Sequence, residues 1–406
     1  MPPAILRPFL PRVPLTRDDR WIIFLLWVTG VAMGWAQGEA SALLPFTRRD
    51  LGVTEGGMSL ILALARLGAF GAILLGGAAD RIGRRRPLIA ALGLLLVGNG
   101  LSAIAPTPTV YGLAQGLARI GGASVAALGV VVLAEGVSNA VRAYAISFFG
   151  AAASLGAGFS VLTLPLADST EWSWRLPHAL PLVLIPVLPL LWRHLPESPL
   201  IMSAHVRLPW GDLLRGERRR RFLLVSVAGL LASAFSAVGL AFTTERLIGE
   251  LGHGAGIVIL VSIGGGTVGA LGFFAGGRLA DGWGRRPTSI LALSLALAGG
   301  LALFAVSEIW ALWLASLVAA FGTFAYIPAG GAHRAELFPT SLRGASNTSS
   351  NYLATVGSAL GLLLGSLTID HIGLLGTMTV LGVGVVVAAV LTAALPETMG
   401  HDLHEL

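Results

Sequence analysis

The sequence predicts an all-α integral membrane protein. Twelve transmembrane helices form two pseudo-symmetric six-helix bundles, with both termini in the cytoplasm. Three observations predict it. The chain is too apolar and too poor in charge for a soluble domain. Twelve apolar runs are each long enough to cross a bilayer. Three charged loop motifs recur 200 or 201 residues later in the chain.

Of 406 residues, 55% are apolar and 12% charged, and the mean hydropathy is +0.80. Soluble domains carry about 25% charged residues. Cysteine is absent, which excludes disulfides, thiolate metal sites and cysteine nucleophiles. No metal site is expected. All 27 basic residues are arginine, which suggests a GC-rich, bacterial genome. A net charge of +6 could point a soluble chain to nucleic acid. In a membrane chain excess arginine is the topology signal of cytoplasmic loops, so no nucleic-acid partner is expected and the lipid bilayer is.

The expected spans are 21–45, 58–78, 88–105, 110–134, 143–166, 177–192, 222–244, 256–275, 288–305, 310–332, 344–367 and 374–394. They must be helices, because backbone groups in lipid need partners within their own segment. Barrel strands would alternate polar and apolar residues instead. The run at 21–45 is too long for the core of a cleavable signal peptide. The longest polar stretch, 193–221, separates an N-terminal bundle (1–192) from a C-terminal one (222–406).

Arginine counting sets the orientation. With the N-terminus inside, cytoplasmic segments hold 21 arginines, and the opposite loops hold only Arg48, Arg49, Arg175 and Arg246. That bias places both termini in the cytoplasm. Trp172 and Trp174 then sit in an external loop, as interface anchors would.

The halves resemble each other. GGAADRIGRRRP at 76–87 recurs as GGRLADGWGRRP at 276–287, with Asp80 and Asp281 201 residues apart. LAEGVSNAVR at 133–142 recurs as RAELFPTSLR at 334–343, with Glu135 and Glu336, and Arg142 and Arg343, at the same offset. LPESP at 195–199 recurs as LPETM at 395–399. A parallel repeat of six-helix halves is a transporter architecture.

With these motifs the chain resembles the major facilitator superfamily over essentially its whole length. Asp80-Arg81-Ile82-Gly83-Arg84-Arg85 has the form of that superfamily's D-R-x-G-R-R loop. The A-E-x6-R elements, PES-P and PET-x-G resemble its sugar-porter and metabolite:proton-symporter branch. The resemblance implies alternating access through a central cavity lined mainly by spans one, four, seven and ten.

A phosphate cradle at 76–87 would need the G-x4-G-K-[ST] form, which is absent, and Asp80 would repel the phosphate. Topology alone explains the arginines but not the repeated Asp and Gly. A gate latch explains both. A carboxylate is favoured at a helix N-terminus, and the resemblance implies that Asp80 meets the start of span eleven. The repeat then places Asp281 at the start of span five. Glu135 and Glu336 would pair with Arg84, Arg85, Arg285 and Arg286. Arg142 and Arg343 complete the expected cytoplasmic gate.

Glu39, Arg66 and Arg119 lie inside spans, where ionisable residues are functional by default. Glu39 is either a proton carrier or a fixed counter-ion for Arg66 or Arg119. Arg119 either grips a substrate carboxylate bidentately or forms a structural pair with Glu39. Gln37 and Gln115 add hydrogen-bonding capacity, and Gln115 and Arg119 share a helix face at i, i+4. The resemblance also implies a Gln pair in span seven for a sugar porter. Span seven has none, which disfavours a hexose.

The expected function is secondary active transport of a small organic solute, an organic anion ahead of a sugar, by proton symport. Proton-antiport efflux of drug-like compounds is the alternative. The protein is expected to be a bacterial cytoplasmic-membrane monomer, without bound cofactor, and not an enzyme. No HExxH or GxSxG motif occurs.

Overall fold

The computed structural model describes residues 15–138, 141–170, 172–197 and 210–399. Ser198 and Pro199 of the first PES-P motif and Gly400 of PET-x-G lie outside the described residues. Every regular element among the described residues is helical. Among the described residues, eleven segments are long and apolar enough to cross a membrane: α1 (Arg17–Ala42), α2 (Glu55–Ile82), α3 (Arg85–Ala103), α4 (Pro108–Gly136), α5 (Tyr144–Ala167), α6 (Arg175–His194), α7 (Gly216–Glu250), α8 (Ala255–Gly282), α9 (Arg285–Ala305), α10 (Ile309–Glu336) and α11 (Ala345–Ala393).

The eleventh segment covers the last two expected spans. It runs for 49 residues, about 74 Å at 1.5 Å per residue and more than twice the roughly 30 Å of a hydrocarbon core. Gly373, at φ 71 and ψ 178, interrupts it. Only glycine adopts that backbone without strain. The expected spans 344–367 and 374–394 fall on either side of Gly373, with no loop long enough to separate them.

Local sequence sets the ends and bends. Thr107 caps α4 by accepting the Val110 N–H at 3.3 Å, with Pro108 in the first turn, where a missing N–H is harmless. Short 3-10 stretches interrupt α2 at Gly68–Gly71 and α6 at Leu180–Leu184. π-helical turns occupy Glu245–Glu250 and Leu260–Gly264. Pro328 sits inside α10, where it removes one backbone donor.

The chain groups into two compact units. One holds the described residues of Met1–Ala40 and Gly68–Ala204; the other holds Ser41–Leu67 and those of His205–Leu406. The end of α1, the helix Leu44–Asp50 and the first half of α2 therefore belong with α7–α11. In the first unit Leu26, Leu88, Leu92, Leu95, Val125 and Leu133 belong to one buried core.

Small residues let helices touch, as membrane helices without a hydrophobic drive between them require. In the first unit a methyl group added to Gly98 would stand 2.7 Å from the Ala114 carbonyl oxygen, so α3 and α4 meet backbone to backbone. In the second unit a methyl at Gly299 would stand 2.8 Å from the Ala315 carbonyl oxygen. Gly98 and Gly299, and Ala114 and Ala315, are each 201 residues apart. The α1–α5 crossing at Gly156 and the α7–α11 crossing at Gly357 repeat the same offset. The duplication seen in the loop motifs thus extends into the packing of the membrane helices.

Candidate functional site

Three polar clusters stand out, and the first lies inside the first unit. Glu39, near the end of α1, and His178, in the first turn of α6, are both fully buried, with Glu39 Oε2 3.3 Å from His178 Nδ1. The Tyr111 hydroxyl of α4 lies 3.5 Å from His178 Nε2. The rings of Tyr111 and Trp174 both meet the imidazole edge-on, at 5.7 Å. Arg175 donates to the Ala103 and Ala105 carbonyls at 3.2 and 2.9 Å and stacks on Trp172 and Trp174.

The expected counter-ions of Glu39 are replaced. Arg119 donates to Gln37 Oε1 at 3.3 Å instead. Gln115 leaves the Arg119 face to donate to Ser102 Oγ of α3 at 3.0 Å. Arg66, partly buried on α2, lies in the segment that groups with the second unit. An imidazole can approach a carboxylate where a guanidinium would bring a permanent second charge. That makes His178 the physically cheaper neighbour in a dry site. Trp174, expected as an interface anchor, is completely buried against His178, whereas Trp172 is 66% exposed.

The second cluster is built twice, once in each unit, at the motif loops. In the first copy Arg84 bonds Asp80 and reaches Glu135 Oε2 at 3.4 Å. The Arg85 backbone N–H donates to Glu197 Oε1 at 3.1 Å, and the Arg85 guanidinium lies over Trp192. In the second copy Arg285 bonds Asp281 and reaches Glu336 Oε1 at 3.2 Å. The Arg285 and Arg286 N–H groups donate to Glu397 at 2.8 and 3.0 Å, and Thr398 Oγ1 donates to Glu336 at 2.6 Å. Arg142 opens the helix Arg142–Leu162, and Arg343 donates to the Phe338 carbonyl at 3.1 Å.

The glycine of each loop has two reasons to be there. Gly83 and Gly284 stand at φ 94 and φ 122. A side chain on either would also run into the carboxylate of Glu197 or Glu397. The acid seated at the N-termini of α3 and α9 is therefore the Glu of the PES or PET motif. The two Asp side chains, 71% and 75% exposed, pair with the arginine one turn on. Sequence reading identified the PES and PET motifs but gave them no partner. Their matching separation from the loops was the available signal, since Arg85–Glu197 and Arg286–Glu397 are 112 and 111 residues apart.

Charge partners also set the protonation of these loops. Burial works against the Arg84 cation, but hydrogen bonds and charge from Asp80 and Glu135 outweigh it and raise its pKa above the usual arginine value. Burial likewise opposes the Glu397 carboxylate. Backbone N–H donors from Met399, Arg285, Arg286 and Thr398 overcome it and hold that pKa below the usual Glu value.

The third cluster lies at the opposite ends of the helices, within the second unit. Arg48 reaches Glu245, which is fully buried, at 2.6 Å, and Glu55 at 3.7 Å. Burial opposes the Arg48 charge, but Glu245 foremost raises its pKa. Asp370 of α11 accepts from Thr54 Oγ1 at 2.7 Å and from the Gly56 N–H at 2.9 Å. Ser59 donates to the Leu362 carbonyl at 2.7 Å. Sequence reading gave Arg48 a topological role only and passed over Glu245 and Asp370. No local pattern links residues 197 and 314 positions apart.

The chain matches the family profile described as Major Facilitator Superfamily over residues 26–276 and 224–402. It is 24% identical over 285 residues to a gentisate transporter of Corynebacterium glutamicum, covering 68% of this chain and 64% of that protein. It is 26% identical over 273 residues to a citrate-proton symporter of Klebsiella pneumoniae, covering 59% of each. The chain thus spans less than two thirds of the length of either relative. The crystal structure of a D-xylose-proton symporter superposes with a TM-score of 0.73 at 20% identity, over 94% of this chain and 99% of that one. Repeated loop motifs, membrane helices duplicated at one offset, and the family match agree: the chain belongs to the Major Facilitator Superfamily and is a multi-pass membrane transporter, not an enzyme.

Proposed function

We propose that the protein carries a small organic anion across the bacterial cytoplasmic membrane by proton symport. Twelve spans form bundles 1–192 and 222–406, joined by the linker 193–221, with both termini inside. The protein works as a monomer and needs no cofactor. The observation that carries this reading is the intramembrane cluster of the first unit. A guanidinium held by a neutral amide, Arg119 on Gln37, keeps its charge available to a carboxylate. The nearby buried Glu39 supplies a titratable group for the proton. The names of two relatives, a gentisate transporter and a citrate-proton symporter, support an anionic cargo. The motif loops bias the conformational equilibrium and carry no cargo specificity.

The test is uptake by proteoliposomes under an imposed pH gradient, acid outside. Gentisate or citrate accumulates, and xylose does not. Accumulation of xylose in preference to both acids overturns the anion assignment. Acid-driven extrusion of a cationic dye without acid uptake overturns the direction.

A further inference from the structure

The buried carboxylate of Glu39 has a feature that a proton carrier alone does not explain. Both of its oxygens lack a hydrogen-bond partner, and so does His178 Nδ1, which faces it. The Trp35 indole N–H, one turn earlier on α1, acts on the same carboxylate but falls short of hydrogen-bond geometry. Tyr111 from α4 faces Nε2, on the other edge of the imidazole. Neither nearby guanidinium hydrogen-bonds the acid. Arg175 is held by the Ala103 and Ala105 carbonyls, and Arg119 by Gln37.

We infer that Glu39 and His178 act as one unit that holds a single proton, and that His178 is the partner through which Glu39 loads and releases it. This rests on the proton-symport reading. The physical argument is one of net charge. With one proton the pair is neutral overall, either as carboxylic acid beside imidazole or as carboxylate beside imidazolium. Those two forms interconvert by moving the proton between Oε2 and Nδ1. Losing the proton leaves a bare carboxylate in a dry site, and gaining a second leaves a bare imidazolium. Both are heavily penalised away from water. The proton is therefore retained while the pair is buried and exchanges with bulk water when the conformational cycle hydrates it. Tyr111 fixes the ring so that Nδ1, not Nε2, addresses the acid, which makes it a positioning residue.

The experiment is infrared difference spectroscopy of the purified full-length protein during pH titration. The protonated-carboxyl band lost in Glu39→Gln is assigned to Glu39. It should titrate in the same step as an imidazole ring mode, and His178→Gln should shift its midpoint by about one pH unit or more, as expected for sites coupled this strongly. An unchanged midpoint in His178→Gln overturns the pair. Should that variant fail to fold, nitrogen-15 spectra of wild-type histidines decide. A His178 resonance that changes in step with the Glu39 band supports the pair, and one that titrates independently overturns it. The outcome is separable from the transport reading. A solute carried without response to a pH gradient ends proton symport but leaves the coupled titration standing.

Discussion

The motif loops and the Arg48 cluster are both charge clusters at helix ends, yet they are built on different logic. Each motif loop is closed within its own unit and exists in two copies. Arg84 with Asp80, Glu135 and the nearby Glu197 is matched by Arg285 with Asp281, Glu336 and Glu397. The Arg48 cluster has one copy. It ties the α1–α2 connection to Glu245 at the end of α7 and to Asp370 on α11. The repeated clusters are partly exposed, and in the second copy Glu397 accepts from four backbone N–H groups. The single cluster rests on one short pair to a fully buried acid. The motif loops are thus built in duplicate, while the Arg48 cluster depends on individual contacts.

The comparison predicts unequal sensitivity. Arg48→Gln has the largest expected effect, because it strands a buried Glu245 carboxylate. Breaking such a pair costs about 3 kcal/mol or more. The chain has no native cysteine, so Ser59→Cys gives a single buried reporter beside Leu362. Its maleimide labelling should rise by about two orders of magnitude when Arg48→Gln is added. Equal labelling with and without that change would show that the Arg48 contact does not hold this end together.

Next come the loop glycines. Gly83→Ala and Gly284→Ala each force a side chain into a backbone region reserved for glycine, at about 1–3 kcal/mol, and against a Glu carboxylate. Thermal unfolding in detergent should fall by similar amounts for both. A loss confined to one would break the equivalence of the copies.

Those glycines show what could be read from the chain and what could not. The helices were legible because lipid leaves the backbone no alternative. The loops were legible because their chemistry is local, with Asp80 and Arg84 one turn apart. The partner of each helix N-terminus was not. Glu197 and Glu397 occupy it, brought back across 112 residues by the fold, and sequence reading gave neither a partner. His178 was passed over as one of eight scattered histidines. Only the packing of α1, α4 and α6 places it beside Glu39. The break at Gly373 falls between the expected spans 344–367 and 374–394, where Asp370 and His371 interrupt the apolar run. The glycine offsets at 98 and 299, and at 156 and 357, were in the sequence but gain meaning only once each is seen under a neighbouring backbone.

A smaller effect should appear with pH. The folded-state pKa of Glu397 is depressed, so its hydrogen bonds contribute stability that is fully present above the unfolded carboxylate value of about 4.3. That stability is lost as pH falls through the lower folded value. Thermal unfolding followed from pH 6 to about pH 3 should show a steeper acid loss for the wild type than for Glu397→Gln. Parallel curves would mean that the backbone donors do not hold the carboxylate charged.

The most direct test of the division of labour is the concentration dependence of pH-gradient-driven gentisate uptake in proteoliposomes, compared across wild type, Asp80→Asn and Arg119→Gln. Asp80 is exposed and its loop is the one proposed to bias the conformational equilibrium, so its variant should lower maximal turnover and leave KM near the wild-type value. Arg119 is assigned to the carboxylate, so its variant should raise KM by about tenfold or more, the loss of one charge-assisted hydrogen bond. The reverse pattern, with KM raised in Asp80→Asn and unchanged in Arg119→Gln, would contradict the assignment of gating to the repeated loops and of cargo to the first-unit cluster.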